Sequence, residues 1–266
     1  MILDGRAIAE DIYAELSASG KLKGAKLGII VAGNDPVIES FVRIKTRAAD
    51  RLGVEMVRID LSQSATTETA IDAVRELSPR IDALIVQLPL PKEIDTNAVL
   101  SEIPHDKDVD VINPRHSGEL AIVEAPVALA VVEFLRRGGV EIKGKSTVVI
   151  GGGRLVGAPS AAFLKKLGAT VSMFTLEEGS ISDLKNADIV VCGAGNPGFI
   201  KPEHVKEGVA LIDAGASEIS GKIQGDADPA CAAKASVFSP VPGGIGPVAV
   251  AMIFKNLLDL LEKGRS

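Results

Sequence analysis

A buried-strand pattern, Ser146-Thr-Val-Val-Ile150, runs into the turn Gly151-Gly152-Gly153-Arg154-Leu155-Val156-Gly157, and a helical pattern follows at Ala158–Leu167. The glycine spacing is G-x-G-x-x-x-G, one residue longer than the common dinucleotide-binding fingerprint. Glycines let the backbone approach a pyrophosphate, and the first turn of the helix offers N–H groups and a positive dipole end. Three successive glycines lose much backbone entropy on folding, so a turn without a ligand is the less favoured alternative. The stretch therefore predicts a Rossmann-type dinucleotide-binding domain.

Strand and helix patterns alternate on both sides of this turn, which predicts an α/β protein with mostly parallel sheets. The polar, irregular stretch His105–Gly118 indicates the crossing between two α/β domains. We expect a first domain over residues 1–118, completed by a C-terminal helical segment at 243–266 that packs back on it, and a Rossmann-type domain over residues 119–242. The predicted helices lie at 4–20, 36–52, 67–77, 97–103, 126–137, 158–167 and 248–261, and the predicted strands at 27–32, 55–59, 83–87, 146–150, 170–174, 189–192 and 209–213.

The composition excludes several classes of protein. The 266 residues are 46% hydrophobic and 24% charged, and 29 Lys+Arg against 35 Asp+Glu give a net charge of −6. An acidic chain without a clustered basic face is not typical of nucleic-acid binding, and no apolar run approaches the ~20 residues of a membrane span. Cys192 and Cys231 form no C-x-x-C pair and are expected to be buried and reduced. These features favour a soluble, cytoplasmic protein, and we predict no metal site in it.

Two features near the glycine turn favour different dinucleotides. The segment Phe174–Glu178 includes Glu177 and Glu178 and lies about 20 residues beyond the turn, where a carboxylate binds the ribose hydroxyls of NAD. A carboxylate there would repel the additional phosphate of NADP. Arg154, inside the turn, is placed to hold that phosphate instead. The residues by themselves leave both cofactors open.

A helix that carries one potentially reactive side chain is predicted after the turn at residues 33–36. Asp35 is placed to cap this helix, and Pro36 occupies its first position. Phe41 and Lys45 are four residues apart and therefore share one face of the helix. We expect Lys45 to emerge beside the aromatic ring, at the edge of the stripe that faces the core. The predicted core stripe consists of Val37, Phe41, Ile44 and Ala48.

Two other polar groups lie where a ligand is expected. Gln87 is at the C-terminal end of a predicted strand, the edge at which open α/β sheets bind ligands. Asp106-Lys-Asp-Val-Asp110 forms an acidic cluster in the crossing segment. Each of these groups alone has an ordinary explanation, as a solvated lysine, a loop hydrogen bond or a turn. Their order along the chain is more informative than any one of them.

A series of motifs covers the chain from about Leu3 to Leu261. In order they are Ser40-Phe41-x-x-x-Lys45, Val86-Gln-Leu-Pro-Leu-Pro91, Asp106-Lys-Asp-Val-Asp110, the glycine turn, Gly195-Asn-Pro-Gly-Phe-Ile200, Ile212-Asp-Ala-Gly215, Gly225-Asp226 and Pro240-Val-Pro-Gly-Gly-Ile-Gly-Pro247. This series resembles the bifunctional methylenetetrahydrofolate dehydrogenase/methenyltetrahydrofolate cyclohydrolase family. The VQLPLP and PVPGGIGP motifs are the most specific, and their joint order makes a chance agreement implausible.

The resemblance implies a bifunctional enzyme of one-carbon metabolism. That family oxidises methylenetetrahydrofolate by hydride transfer to NADP and hydrates the methenyl product to formyltetrahydrofolate at the same site. It implies Lys45 as the general acid/base, Gln87 as its hydrogen-bonding partner and Asp110 as the residue that binds the pterin ring. It also implies a homodimer formed through the nucleotide domains. The implied substrate-binding residues are Phe41, Pro242, Gly243 and Gly244, and the implied cofactor-binding residues are Gly151, Gly152, Gly153, Arg154, Gly157, Thr175 and Ala216.

The chain departs from the family pattern at three places. Phe41 replaces the usual tyrosine, Gly152-Gly153 replaces an Arg-Ser pair in the glycine turn, and Ala125-Pro126 replaces a Thr-Pro element. The first departure raises the alternative of a dehydrogenase with little cyclohydrolase activity, and the second keeps NAD possible as the cofactor. An alternative from another class is a non-catalytic dinucleotide-binding protein. The retained Lys45 argues against it, because a binding module does not need a lysine there.

Overall fold

The computed structural model describes residues 1–116, 120–175, 180–219 and 221–264, and these form two compact units. The five-stranded unit consists of Met1–Glu10 and Val127–Met252. The three-stranded unit consists of Asp11–Pro126 and the described residues from Ile253 onward. The predicted domain boundary after residue 118 falls among residues 117–119, outside the described residues, and stays a prediction.

The three-stranded unit is built on a parallel sheet with the order β2-β1-β3. Ile30 at its centre pairs with Ile59 on one side and Val86 on the other. Strands β1 and β3 are buried almost throughout, as expected for parallel strands covered on both faces, whereas β2 is half-exposed. The elements of this unit are β1 (Lys26–Ala32), α2 (Pro36–Leu52), β2 (Glu55–Leu61), α3 (Thr67–Leu77), β3 (Ala83–Val86) and α4 (Thr96–Leu100); α1 (Gly5–Ser19) ends in it and α7 (Ile245–Lys263) enters it.

Helix α2 begins and ends at the residues predicted from the sequence. The Asp35 carboxylate accepts hydrogen bonds from the N–H groups of Val37 and Ile38, and Pro36 stands at the start of the helix. Gly53 ends the helix with a left-handed φ of 69°, a conformation that glycine adopts without steric cost. The predicted cap of α2 is therefore confirmed.

The predicted core stripe of α2 is wrong in all but Ala48. Val37, Phe41 and Ile44 are exposed to 46%, 45% and 45%. The helix has apolar residues on more than one face, and the face that packs is displaced by one residue from the predicted one. The buried residues are Ile38, Val42, Ala48, Ala49 and Leu52.

The five-stranded unit contains a parallel sheet with the order β10-β7-β6-β4-β5. The strand order reverses at β4, which has β5 on one side and β6 on the other. A two-stranded antiparallel hairpin, β8-β9, lies outside this sheet and was not predicted. The predicted α/β class with parallel sheets is confirmed. The elements are α5 (Pro126–Arg137), β4 (Ser146–Ile150), α6 (Gly157–Lys166), β5 (Thr170–Phe174), β6 (Ile189–Cys192), β7 (Ala210–Asp213), β8 (Ser217–Ile219), β9 (Lys222–Gln224) and β10 (Val237–Ser239).

The part of α7 from Ile253 onward belongs to the three-stranded unit, whereas its first residues, up to Met252, belong to the five-stranded unit. The buried Asn256 amide donates to the carbonyl oxygens of Val109 and Glu124, at 2.9 and 2.8 Å. Lys21 and Glu262 form an ion pair at 2.6 Å. The helix begins at Ile245, three residues before its predicted start, because Gly246 does not interrupt it.

The prediction that both cysteines are buried and reduced is confirmed. Cys192 and Cys231 are buried and unbridged. The single tyrosine, Tyr13, is 8% exposed, and the Arg51 guanidinium carbon lies 4.8 Å from its ring centroid. Within the described residues, every helix is too short or too polar to cross a membrane.

Candidate active site and dinucleotide site

Lys45 and Gln87 are brought together at the carboxyl edge of the three-stranded sheet. The Lys45 Nζ donates a hydrogen bond to Gln87 Oε1 at 2.8 Å. Gln87 directly follows β3, is 7% exposed, and donates its own amide N–H to the Leu88 carbonyl oxygen at 2.9 Å. This second bond fixes the orientation of the Gln87 amide, so that its oxygen is presented to the lysine.

The electrostatic surroundings move Lys45 towards its neutral form. Burial lowers the pKa of Lys45, and the nearby Asp110 carboxylate opposes this by raising it. In turn, burial raises the pKa of Asp110 and the Lys45 charge lowers it. Gln87 carries no charge and can orient the amine without restoring its pKa. The arrangement suits a lysine that takes up and releases a proton.

The loop that carries Asp110 is held by Asp108, a residue that the sequence reasoning did not single out. The Asp108 carboxylate accepts hydrogen bonds from the N–H groups of Ile112 and Asn113, at 3.2 and 2.8 Å. Burial raises the pKa of Asp108 to about 6. Val111, next to Asp110, has a φ of 56°, a left-handed conformation that β-branched residues rarely adopt. The position of the Asp110 carboxylate is therefore set by a strained, internally bonded loop.

Phe41 lies one helical turn before Lys45 and leaves nearly half of its side chain exposed. A groove of about 600 Å³ opens at the same carboxyl edge of the sheet, between the loop at residues 33–36 and the segment at 89–91. Sheets of this type bind ligands where the strand order reverses, here between β1 and β3. This unit therefore carries an exposed apolar ring, a lysine of lowered pKa and a groove at one edge of its sheet.

The glycine turn of the five-stranded unit fits a dinucleotide phosphate. Gly151 has a φ of 91°, and a Cβ there would lie 2.6 Å from the Gly193 carbonyl oxygen. A Cβ on Gly157 would collide with the Gly151 carbonyl oxygen. Gly152 and Gly153 instead face open space, and α6 starts without a side-chain cap. The turn thus combines two glycines required by packing with two that leave room at a helix N-terminus.

The other predicted cofactor residues lie along the same edge of this sheet. Thr175 directly follows β5, and Ala216 is exposed in the turn after β7. The Arg154 side chain is exposed within the glycine turn. Glu177 and Glu178, the carboxylates considered for NAD, lie outside the described residues.

The predicted substrate residues Pro242, Gly243 and Gly244 belong to the five-stranded unit. The peptide bond before Pro242 is cis, and Gly243 has a φ of 99°. The Gly243 carbonyl oxygen accepts a hydrogen bond from the Gly5 N–H at 2.9 Å. The start of the chain thus holds this glycine-rich segment.

Two buried carboxylates, Asp213 and Asp226, are further residues that the sequence reasoning left without a role. They lie close to the Cys192 thiol, whose pKa is raised far above its usual range by burial. Burial also raises the pKa of Asp213 to about 6. Both carboxylates accept hydrogen bonds from backbone N–H groups. The D-x-G and G-D motifs were the signal that could have found them.

Comparisons with known proteins agree over nearly the whole chain. The family model of the tetrahydrofolate dehydrogenase/cyclohydrolase catalytic domain matches residues 3–110, and that of its NAD(P)-binding domain matches residues 125–265. The chain is 37% identical over 270 residues to the bifunctional protein FolD of Halothermothrix orenii, covering 96% of this chain and 95% of that protein.

Solved structures of methylenetetrahydrofolate dehydrogenase/cyclohydrolases are also similar to this chain. The Trypanosoma brucei methylenetetrahydrofolate dehydrogenase-cyclohydrolase, complexed with NADP and an inhibitor, has a TM-score of 0.94 and 33% identity, covering 100% of this chain and 98% of that one. The bifunctional dehydrogenase/cyclohydrolase of Thermoplasma acidophilum has a TM-score of 0.91 and 25% identity, with 100% and 99% coverage. The resemblance expected from the motifs is confirmed. The chain belongs to the tetrahydrofolate dehydrogenase/cyclohydrolase family.

Proposed function

We propose that the chain oxidises methylenetetrahydrofolate to methenyltetrahydrofolate by hydride transfer to NADP and then hydrolyses the product to formyltetrahydrofolate. The observation that carries this proposal is the Lys45–Gln87 pair, joined at 2.8 Å and influenced by the Asp110 charge. A protein that only bound a dinucleotide would have no use for a lysine whose pKa is lowered and whose amine is oriented.

Lys45 is the general base of the hydration step in this proposal. Its neutral amine takes a proton from the water that attacks the methenyl carbon. As the ring opens, the ammonium returns that proton to the ring nitrogen that leaves, and the hydroxyl group on the former methenyl carbon loses its proton to solvent as the carbonyl forms. Gln87 Oε1 holds the amine in position in both states, since a lysine Nζ always has a proton to donate. Asp110 binds the pterin ring, and Phe41, Pro242, Gly243 and Gly244 bind the folate.

The chain would hold the dinucleotide, which when bound would supply the hydride acceptor. We assign this role to Gly151, Gly152, Gly153, Arg154, Gly157, Thr175 and Ala216. The open space at Gly152-Gly153 and the uncapped start of α6 support the phosphate position. NADP is preferred to NAD because the exposed Arg154 can pair with the additional phosphate and because the Trypanosoma brucei relative is complexed with NADP.

A second candidate is a dehydrogenase with little cyclohydrolase activity. It is favoured by Phe41, which offers a ring but no hydroxyl beside Lys45. Adding methenyltetrahydrofolate and following the loss of its absorbance separates the two candidates. Rapid enzyme-dependent decay rules out the narrower one, and decay at the spontaneous rate supports it.

The decisive test replaces Lys45. Lys45→Met should lower the hydration rate by a factor of about 10² or more, because general-base catalysis is lost. Arg47→Met, a matched change at an exposed position of the same helix, should leave that rate unchanged. Full hydration activity in Lys45→Met would remove Lys45 from its role. A wild-type protein without methylenetetrahydrofolate-dependent reduction of NADP or NAD would overturn the dehydrogenase assignment.

We further propose a homodimer formed through the five-stranded unit. Its β10 edge is covered, because Phe238 exchanges backbone hydrogen bonds with Met1 and Leu3. Its β5 edge pairs only with β4 among the described residues and presents Met173, which is 46% exposed. An open edge strand with an apolar side chain is suited to pairing with a second copy.

The domain limits and the location of the protein are also proposals. A division after residue 118 is supported by the family models, which leave residues 111–124 unmatched between them. A cytoplasmic location is supported by Cys192 and Cys231, two thiols that are buried and unbridged.

A further inference from the structure

Two motifs of the five-stranded unit interlock through their carboxylates. Asp213 belongs to Ile212-Asp-Ala-Gly215 and Asp226 to Gly225-Asp226, and the two are exposed to only 1% and 0%. A Cβ on Gly215 would collide with the Asp226 carboxyl group, and a Cβ on Gly225 would collide with Asp213. Each glycine therefore makes room for the carboxylate of the other motif.

Asp226 binds the loop that follows β6. Its Oδ2 accepts hydrogen bonds from the N–H groups of Ala194 and Gly195, at 2.6 and 3.3 Å. Its Oδ1 accepts one from the Asn196 N–H at 2.8 Å. A single buried carboxylate thus fixes three consecutive backbone groups, and bonds to a charged acceptor are stronger than those to a neutral one.

The Asp213 carboxylate binds the backbone of the segment that carries Asp226. Its Oδ1 accepts hydrogen bonds from the N–H groups of Gly215 and Asp226, at 2.9 and 3.2 Å. Its Oδ2 accepts one from the Ala227 N–H at 2.8 Å. Asp213 therefore fixes the backbone on both sides of the Asp226 side chain, and Asp226 in turn fixes the loop.

The loop held by Asp226 lies against the glycine turn. A Cβ on Gly151 would lie 2.6 Å from the Gly193 carbonyl oxygen and 3.2 Å from the Ala194 Cα. The loop follows β6 and the turn follows β4, so the two flank the reversal of strand order at which Rossmann-type sheets bind dinucleotides. Displacement of the loop would disturb the surface that receives the cofactor.

We propose that Asp226 is a positioning residue for the dinucleotide, acting through the loop at residues 194–196. The proposal rests on the proposed function for the identity of the ligand. Asp226 does not touch the ligand; its effect passes through three N–H bonds to the loop. Both oxygens of the Asp226 carboxylate accept hydrogen bonds from backbone N–H groups. This is typical of a carboxylate that fixes a loop, whereas a metal ligand would direct an oxygen towards the ion.

Asp226→Asn tests this role with little change of shape. Asparagine has one acceptor oxygen, so at least one of the three N–H groups loses its partner. We expect the Kd for NADP, measured by calorimetry, to rise about tenfold or more. In the protein without cofactor, amide hydrogen exchange at Ala194, Gly195 and Asn196 should accelerate by a similar factor. The rate of methenyltetrahydrofolate hydrolysis should change far less, because that step consumes no dinucleotide.

Asp188→Asn is the matched control. Asp188 also accepts a backbone N–H, from Ser146 at 3.0 Å, but at the amino ends of the strands. This variant should leave both the Kd for NADP and the exchange at residues 194–196 unchanged. Equal effects of the two substitutions would overturn the proposal, because they would reflect a general loss of stability.

The wild-type protein provides a measurement that does not depend on folding of the variant. If Asp226 anchors the loop, the amides of residues 194–196 are protected from exchange without cofactor, comparably to β6. Rapid exchange of these amides, or an unchanged Kd in Asp226→Asn, would overturn the proposal. A wild-type protein that binds neither NADP nor NAD would instead overturn the proposed function, and the exchange comparison would still decide whether Asp226 fixes the loop.

Discussion

At the scale of single residues, the surroundings of Lys45 lower the pKa of its amine and fix its orientation. Its amine has a neutral partner, Gln87, at 2.8 Å, and a charged neighbour, Asp110. Burial and the Asp110 charge act on the Lys45 pKa in opposite directions. A carboxylate in place of Gln87 would hold the proton firmly, whereas an apolar residue would leave the amine without orientation.

Asp110→Asn should shift the pH dependence of hydration. The Asp110 charge raises the pKa of Lys45, so its removal lowers that pKa further and increases the neutral fraction at a given pH. The rising limb of a kcat–pH profile should therefore move to lower pH, while KM for the folate should rise because the proposed contact of Asp110 with the pterin ring is lost. Asp106→Asn, at an exposed position of the same segment, serves as the control. A shift of the limb to higher pH would contradict this electrostatic account.

The pair of Lys45 and Gln87 also shows what the sequence could and could not predict. The spacing of Phe41 and Lys45 places both on one face of α2, and the motif order identifies Gln87 and Asp110. The hydrogen bond between Lys45 and Gln87 joins residues 42 positions apart and becomes visible only in the folded sheet. Asp108 escaped attention because a capping carboxylate has the same sequence appearance as any loop aspartate.

At the scale of elements, the ends of α2 were predictable and its packed face was not. Asp35, Pro36 and Gly53 act locally, so their roles can be inferred from sequence. The helix carries apolar residues on two faces, and helical periodicity does not tell which one meets the sheet. The face with Ala48 and Ala49 packs, whereas Phe41 stays exposed, where a ligand can reach it.

The loop at residues 108–113 stores strain beside the proposed catalytic centre. Val111→Gly should raise the free energy of unfolding by about 0.5–1 kcal/mol, because the relieved left-handed strain of roughly 1–2 kcal/mol exceeds the added chain entropy. Urea denaturation measures this change. Val111→Ala keeps a Cβ at the same φ of 56°, so its free energy of unfolding should increase by less. A less stable Val111→Gly variant would show that the valine side chain contributes more by packing than it costs by strain.

At the scale of the whole molecule, two parallel sheets place their proposed sites at equivalent positions. In each, the candidate site lies at the carboxyl edge, where the strand order reverses: near Gln87 in one sheet and at the glycine turn in the other. The alternation of strand and helix patterns was sufficient to predict the three-stranded sheet and four of the five strands of the other sheet, whereas β10 was not predicted. The β8-β9 hairpin was missed because its strands have only three residues each.

Disruption of the open edge of the five-stranded sheet tests the proposed dimer. Met173→Lys places a charge on β5 and should reduce the mass measured by light scattering from that of two chains to that of one. Leu120→Lys makes the same kind of change at an apolar side chain that is 63% exposed in the other unit. That variant should keep the mass of the wild type. A monomeric wild-type protein, or a dimeric Met173→Lys variant, would contradict pairing through β5.

Tyr13 makes it possible to follow the unfolding of one unit separately by fluorescence. It is the single tyrosine in a chain without tryptophan, and it lies in the three-stranded unit with Arg51 over its ring. Tyrosine emission of this protein therefore reports on that unit alone, because the five-stranded unit contains neither tyrosine nor tryptophan. If the emission transition and the far-ultraviolet dichroism transition coincide during denaturation, the two units unfold as one; if they separate, each unit melts independently.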